Sequence, residues 1–166
     1  MERLSEVSAL ATRILDNGIA ITNPPVAESK AHNERYRTIG IGVQGLHDLL
    51  AREYSNFGDE ALITHVFEQI QLGFVSESVK LAKERGAYPA FEGSTWSTGE
   101  RVAEFKKWSS SPEKWEALQN QIDLYGIRNS QGTSPAPNTS TSIAMDAGAG
   151  ATPTLSGFFY EDNKDG

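Results

Sequence analysis

Arg37-Thr38-Ile39-Gly40-Ile41-Gly42-Val43-Gln44-Gly45-Leu46-His47-Asp48-Leu49-Leu50 is the stretch whose interpretation sets the fold. Thr38 to Val43 predicts a short strand, and the apolar spacing of Leu46, Leu49 and Leu50 after Gln44 predicts a short helix. Gly40 to Gly45 also matches G-x-G-x-x-G, with Asp59 and Glu60 about 20 residues on, the pattern of a dinucleotide-binding turn. The chemistry around it argues against that use. A central parallel strand is buried on both faces, whereas Glu34-Arg35-Tyr36-Arg37-Thr38 is charged. The acidic pair opens a long helix, where carboxylates suit the positive terminus, instead of ending a second strand. Glycines that permit close strand-to-helix packing are the simpler account.

Upstream, Leu4, Val7, Ala11, Ile14 and Leu15 recur at helical spacing, and Gly18 falls where a left-handed C-terminal cap would end the helix. Asn23-Pro24-Pro25 breaks regular structure, and the polar run from Glu28 to Arg37 reads as an exposed connector. Downstream, the turn Tyr54 to Gly58 precedes the longest element. Asp59 is its expected N-cap, its stripe runs Leu62, Val66, Phe67, Ile70, Phe74, Val75, Leu81 and Ala82, and Gly86 stops it. At about 1.5 Å per residue such a helix spans roughly 40 Å and would be the spine of the fold. Val102, Phe105 and Trp108 predict a short helix. Ser111-Pro112 is a strong start signal for another, which carries Trp115, Leu118, Ile122 and Tyr125 on one face and ends at Gly126. Ile127 to Gln131 is expected to run extended, and Ile143-Ala144-Met145 to be helical. No internal repeat is present.

The 166 residues carry a net charge of -7 with 38% hydrophobic residues, and the mean hydropathy is -0.43. Such a chain is not generously supplied with core and is expected to lean on a partner surface. No basic stripe offers itself to nucleic-acid phosphates. No apolar run approaches the roughly 20 residues of a membrane span, and the first residues do not resemble a signal peptide, so a cytoplasmic location is expected. The absence of cysteine removes disulfides, thiolate metal sites and thiol nucleophiles from this sequence. His32, His47 and His65 share no metal-ligand spacing, so no metal site is expected. Asp59-Glu60 and Glu161-Asp162 are neighbours in sequence and are assigned no acid–base role. Phe158, Phe159 and Tyr160 read as core or interface.

Pro135-Ala136-Pro137-Asn138-Thr139-Ser140-Thr141-Ser142 carries the most chemistry. It leads from an extended segment into a helix whose first-turn N–H groups lack intrahelical partners, and its short polar side chains could add donors without crowding a phosphate. A Ser/Thr-rich turn can equally do no more than cap a helix, and both readings stand at this level. Asn138-Thr139-Ser140 also fits a glycosylation sequon, which has little weight without a secretion signal.

Taken together, Arg37 to Leu50, Leu81-Ala82-Lys83-Glu84-Arg85-Gly86, Tyr125-Gly126-Ile127-Arg128-Asn129-Ser130 and Ala136 to Ser142 resemble ribonucleotide reductase large subunits, in order and at that family's spacing. The flavour is class I, and the cobalamin-dependent class is similar. The resemblance implies a helix-rich α/β fold, a segment of the later half of a ten-stranded α/β barrel, with residues 1–166 forming a single partial domain. It implies that Pro137, Asn138, Thr139, Ser140, Thr141 and Ser142 hold the diphosphate of a ribonucleoside diphosphate. The family's reaction uses a thiyl radical on a loop cysteine, nearby asparagine and glutamate residues, and a redox cysteine pair. None of these matches a residue here, so no catalytic residue is assigned.

The chain is therefore expected to begin after the catalytic cysteine loop, to end before the C-terminal tail, and to be inactive alone. No cofactor is expected on this chain. The intact enzyme would need the remainder of the large subunit, a radical-generating dimetal small subunit or cobalamin, and nucleotide effectors. Thr152-Pro153 stands where the family often has glutamate before proline, so the resemblance does not carry over to the geometry just beyond the phosphate helix. The alternatives are a helical interaction or scaffold module without nucleotide chemistry and, behind it, dinucleotide binding.

Overall fold

A computed structural model of the chain describes residues 3–153; the acidic pair Glu161-Asp162 and the aromatic run Phe158 to Tyr160 lie outside them. Seven helices occur among the described residues: α1 (Arg3–Ile21), α2 (Ala27–Tyr36), α3 (Leu46–Arg52), α4 (Glu60–Arg85), α5 (Glu100–Trp108), α6 (Pro112–Tyr125) and α7 (Thr139–Met145). They fall into two compact units. Of the described residues, the first takes in 3–41 and Glu60–Ser134, the second Gly42–Asp59 and 135–153.

In the first unit α4 is the expected spine. Between Leu72 and Val79 only Ser76 is not buried, so the helix is enclosed on most sides instead of presenting one stripe. Gly86, at φ 85°, ends it as expected. Phe74, Trp96, Phe105 and Trp115 form a chain of ring contacts at 6.3, 6.2 and 4.7 Å between centroids. Phe74, Trp96 and Trp115 are buried, and full burial of a large apolar side chain is worth about 1.5–3 kcal/mol.

Helix α6 starts at Pro112 and closes at Gly126, φ 71°, in agreement with its start and stop signals. Ser111 itself makes no capping side-chain bond. Instead Glu68 of α4 reaches the turn before α6, where its carboxylate accepts hydrogen bonds from Ser109 Oγ, Ser110 Oγ (2.7 Å), Ser110 N–H (3.2 Å) and Trp115 Nε1 (3.1 Å). Burial pushes the Glu68 carboxyl up, but the bonds from Ser109, Ser110 and Trp115 outweigh it and hold the group below the usual carboxylate range.

Helix α1 departs from expectation in two ways. It passes through Gly18 to Ile21, because Ile19 packs against the core and the stop comes from Asn23, which Pro24 bars from helical geometry. Its apolar stripe also does not form the buried face. Val7, Ile14 and Leu15 are exposed, whereas Ser8, Thr12 and Asp16 are buried. The physical reason is closeness of approach. A Cβ on Gly73 of α4 would collide with the Ser5 carbonyl and with Ser8, so only a face of small side chains fits there. Ser8 Oγ donates to the Ile70 carbonyl at 2.7 Å, which satisfies the buried hydroxyl.

Asp16, fully buried, gathers cations from three places. Arg37 donates through Nε to Oδ1 at 2.8 Å and through Nη2 to the Asp16 carbonyl at 2.9 Å. Arg85 Nη1 reaches Oδ2 at 3.1 Å, and Arg128 Nε stands 3.6 Å from Oδ1. Burial, and then the neighbouring Arg37, pull the Arg128 guanidinium below the ordinary arginine range. Asn129 Nδ2 also donates to Oδ1, at 3.1 Å, and Ser78 Oγ donates to Asn129 Oδ1 at 2.9 Å. The block Tyr125 to Ser130 is thereby tied to both α1 and α4.

The expected connector over 28–37 is instead α2, although it is exposed as expected and buries no residue. Ala, Glu, Lys and Arg favour helix without any apolar period to reveal it, and Arg37 closes it in a left-handed cap at φ 47°.

The helix-rich half of the α/β expectation holds; the strands do not form among the described residues. Segment 38–43 and segment 127–131 both run outside helices, and among the described residues the only strand-like pairing is one isolated parallel bridge, Ile41 with Thr133. Ile41 N–H donates to the Gly132 carbonyl at 2.9 Å, and Ser134 N–H returns to the Ile41 carbonyl at 3.0 Å. Ile39 N–H, two residues back, donates to Gln131, only one residue back on the other segment, at 3.1 Å. That slip in step breaks the ladder before it can become a strand pair.

Candidate functional site

The second unit contains the turn singled out by its hydroxyl residues. Pro135 and Pro137 hold the approach out of helical geometry, and α7 starts at Thr139 after Asn138 at φ -126° and ψ 84°. Pro137, Asn138, Thr139, Ser140 and Thr141 are all exposed, and no side chain of the turn caps it: Asn138 makes no capping bond, its Nδ2 lying 3.5 Å from the Ala136 carbonyl. The amides of Thr139, Ser140 and Thr141 therefore have no partner within the helix. Ser142 is different. It is buried, its Oγ donates to the Thr139 carbonyl at 2.7 Å, and its N–H donates to the Asn138 carbonyl at 3.0 Å. Five of the six residues thus share one open helix end, and the sixth closes the turn behind them.

No lysine or arginine lies between Pro135 and Pro153. Attraction for an anion at this turn would come from backbone N–H groups, hydroxyls and the helix dipole.

The glycine block is the neighbour of this turn. Gly45, in a left-handed conformation at φ 72°, is the N-cap residue that precedes α3, and its N–H donates to the Gly148 carbonyl at 2.9 Å. Gly148 N–H donates to Asp48 Oδ2 at 2.7 Å, and Gln44 Nε2 donates to the Asn138 carbonyl at 3.3 Å. A Cβ on Gly45 would lie 3.3 Å from Asp48 Oδ2 and 3.5 Å from Ala147 Cβ, so a side chain would crowd the contact as well as strain the backbone. Gln44, Gly45 and Asp48 were not among the residues predicted from sequence to serve the site. The glycine spacing marked a close approach but carried no information about what approached, because the contact spans about 100 residues of sequence.

Among the described residues no cluster of three or more His, Cys, Asp or Glu side chains could hold a metal ion, and no helix is long and apolar enough to cross a membrane.

The family model described as "Ribonucleotide reductase, barrel domain" matches residues 1–166. The chain is 45% identical to the ribonucleoside-diphosphate reductase subunit alpha of Synechocystis, over 97% of this chain and 22% of that protein. It is 38% identical to the subunit alpha of Treponema pallidum, over 98% of this chain and 19% of that protein. With the large subunit of Plasmodium falciparum the identity is 34%, over 96% and 20%. The chain spans about a fifth of the length of these relatives. By the match along its whole length, this chain belongs to the ribonucleotide reductase large-subunit family and corresponds to a stretch of its barrel domain.

Proposed function

We propose that the turn from Pro137 to Ser142 binds the diphosphate of a ribonucleoside diphosphate, within a large subunit that reduces the ribose 2′ position to give the deoxyribonucleotide. The observation that carries this reading is the open end of α7: Thr139, Ser140 and Thr141 are exposed residues whose first-turn amides have no partner within the helix, with hydroxyl side chains beside them. Phosphate oxygens would accept from these N–H groups and from the Thr139, Ser140 and Thr141 hydroxyls, in charge-assisted bonds about twice as strong as neutral ones. Asn138 would add its side-chain amide, and Pro137 would fix the entry of the chain. Ser142 spends its hydroxyl proton on Thr139, so its part is to hold the turn in shape.

The wider assembly belongs to the same proposal. This stretch would be a partial domain from the later half of a ten-stranded α/β barrel, with the rest of the large subunit supplying the remaining strands. With no cysteine in the sequence, the thiyl radical and the reducing thiols would come from elsewhere in that polypeptide. A separate dimetal subunit, or cobalamin, would generate the radical, and effector nucleotides would act at other regions. This chain alone would bind and orient substrate without turning it over.

The test is an amide NMR titration of the chain with cytidine diphosphate. Three charge-assisted bonds at about 1.5 kcal/mol each give roughly 4–5 kcal/mol, which corresponds to a millimolar Kd. Shifts should concentrate at Asn138–Thr141 and be competed by inorganic pyrophosphate. Undisturbed amides there at about ten times that concentration would refute the reading.

A further inference from the structure

We infer that Asp48, seconded by Gln44, is a positioning residue of the diphosphate turn: by holding the Gly148 peptide it fixes the direction in which the first-turn amides of α7 point. The inference rests on the diphosphate reading above. Its starting point is what α7 lacks. The helix has seven residues, its apolar Ile143 and Met145 are exposed, and Ser142 is its one buried residue. A helix of two turns is marginal without tertiary support, and apolar burial gives this one almost none. Its direction therefore depends on polar ties.

Those ties come from one short segment around the start of α3. The Gly148 peptide is gripped on both sides, its N–H by Asp48 Oδ2 at 2.7 Å and its carbonyl by Gly45 N–H at 2.9 Å. Gly148 follows directly on the turn that ends α7, where Ala147 N–H donates to the Ser142 carbonyl at 3.0 Å. At the other end of α7, Gln44 Nε2 holds the Asn138 carbonyl at 3.3 Å. Gly150, at φ 143°, completes the enclosure by bringing its backbone beside Pro137, where a Cβ would stand 3.5 Å from Pro137 Cα. Both ends of α7 are thus tied to residues 44–48. The Asp48 bond is the shorter of the two side-chain ties and has an ionised acceptor, which makes it the stronger.

The experiment compares the chain with Asp48→Ala, which removes the acceptor, and Asp48→Asn, whose amide oxygen can still accept from Gly148. The first readout needs no ligand: amide shifts and hydrogen exchange of Thr139–Ser142 and Ala147, with Val75 and Val79 of α4 as reporters of the fold. The second is affinity for inorganic pyrophosphate. D48A should move the α7 amides, speed their exchange and weaken pyrophosphate about tenfold, while D48N stays within about twofold of the parent.

Unchanged α7 amides in D48A, or an unchanged pyrophosphate Kd alongside displaced amides, would overturn the inference. So would a D48N as impaired as D48A. A parent chain that shows no pyrophosphate response would sink the diphosphate reading instead, and the ligand-free amides would then decide the positioning role by themselves. If D48A loses the α4 signals, Gln44→Leu, which cuts only the tie to Asn138, carries the same test: displaced Asn138–Thr141 amides support the inference and undisturbed ones refute it.

Discussion

Replacing Asp16 by asparagine should destabilise the chain far more than its single-atom change in shape suggests. The carboxylate is fully buried and faces Arg37, Arg85 and Arg128. Asparagine keeps one oxygen to accept from Arg37 but removes the anion that three guanidiniums share, and of the three Arg85 keeps a second carboxylate, Glu84, at 4.0 Å. Arg37 is itself buried, Arg128 is mostly so, and Arg85 is a third exposed, so water compensates the first two least. Uncovering one side of a buried ion pair costs about 3–5 kcal/mol; because Arg85 is screened, the lower end applies. For a chain of this size each kcal/mol is worth about 2–4 °C, so D16N should melt roughly 10 °C below the parent.

Urea denaturation followed by circular dichroism measures the loss directly, and two controls assign it to charge. Raising sodium chloride to about 0.5 M should recover a small part of the loss, mainly by screening the partly exposed Arg85. The double variant D16N/R37M should lose less than the sum of its single variants, because it removes a stranded cation together with its partner. A D16N chain within about 1 kcal/mol of the parent at low salt would refute the argument, as would strictly additive behaviour in the double variant.

Glu68 predicts a pH dependence. Its folded carboxyl is held below the unfolded range by the bonds from Ser109, Ser110 and Trp115, so its contribution is complete above the unfolded pKa of about 4.3 and disappears as pH falls through the folded value. E68Q should lose about 1–2 kcal/mol at pH 7 and show a flatter stability profile than the parent below about pH 4.5 in acid titration; parallel profiles would contradict the assignment. Gly73→Ala forces a methyl into the Ser5 carbonyl and Ser8 and should cost about 1–3 kcal/mol by chemical denaturation, where an alanine in an unobstructed helix would stabilise. The cytidine diphosphate titration and the Asp48 series test the turn itself.

Where local chemistry alone decided an element, the sequence was a good guide. Proline can begin a helix but not continue one, and glycine can take the left-handed cap, so the limits of α6 at Pro112 and Gly126 follow from the residues there. Helix α2 left no such mark, because an all-polar helix has no apolar period. The inverted face of α1 was hidden for another reason. Burial there is decided by the glycine at 73 on a different helix, and no property of residues 4–15 announces it. The expected strands failed because pairing depends on registry between segments about 90 residues apart, to which neither segment's composition speaks. The hydroxyl-rich turn was legible as chemistry from Pro137 to Ser142. The contacts that tie it in place, Asp48 with Gly148 and Gln44 with Asn138, were not, since they exist only once the chain has folded.

The seam between α1 and α4 is lined with Ser8, Thr12 and Asp16 in place of leucines, and that choice governs how the two helices can slide. Greasy surfaces tolerate a shift of one turn, about 5.4 Å, by swapping one methyl contact for another. Here such a displacement would pull the Ser8 hydroxyl off the Ile70 carbonyl and carry Asp16 away from Arg85 at the same moment. The pair behaves as a keyed joint with one accepted alignment, and whatever is fastened to either helix inherits that alignment.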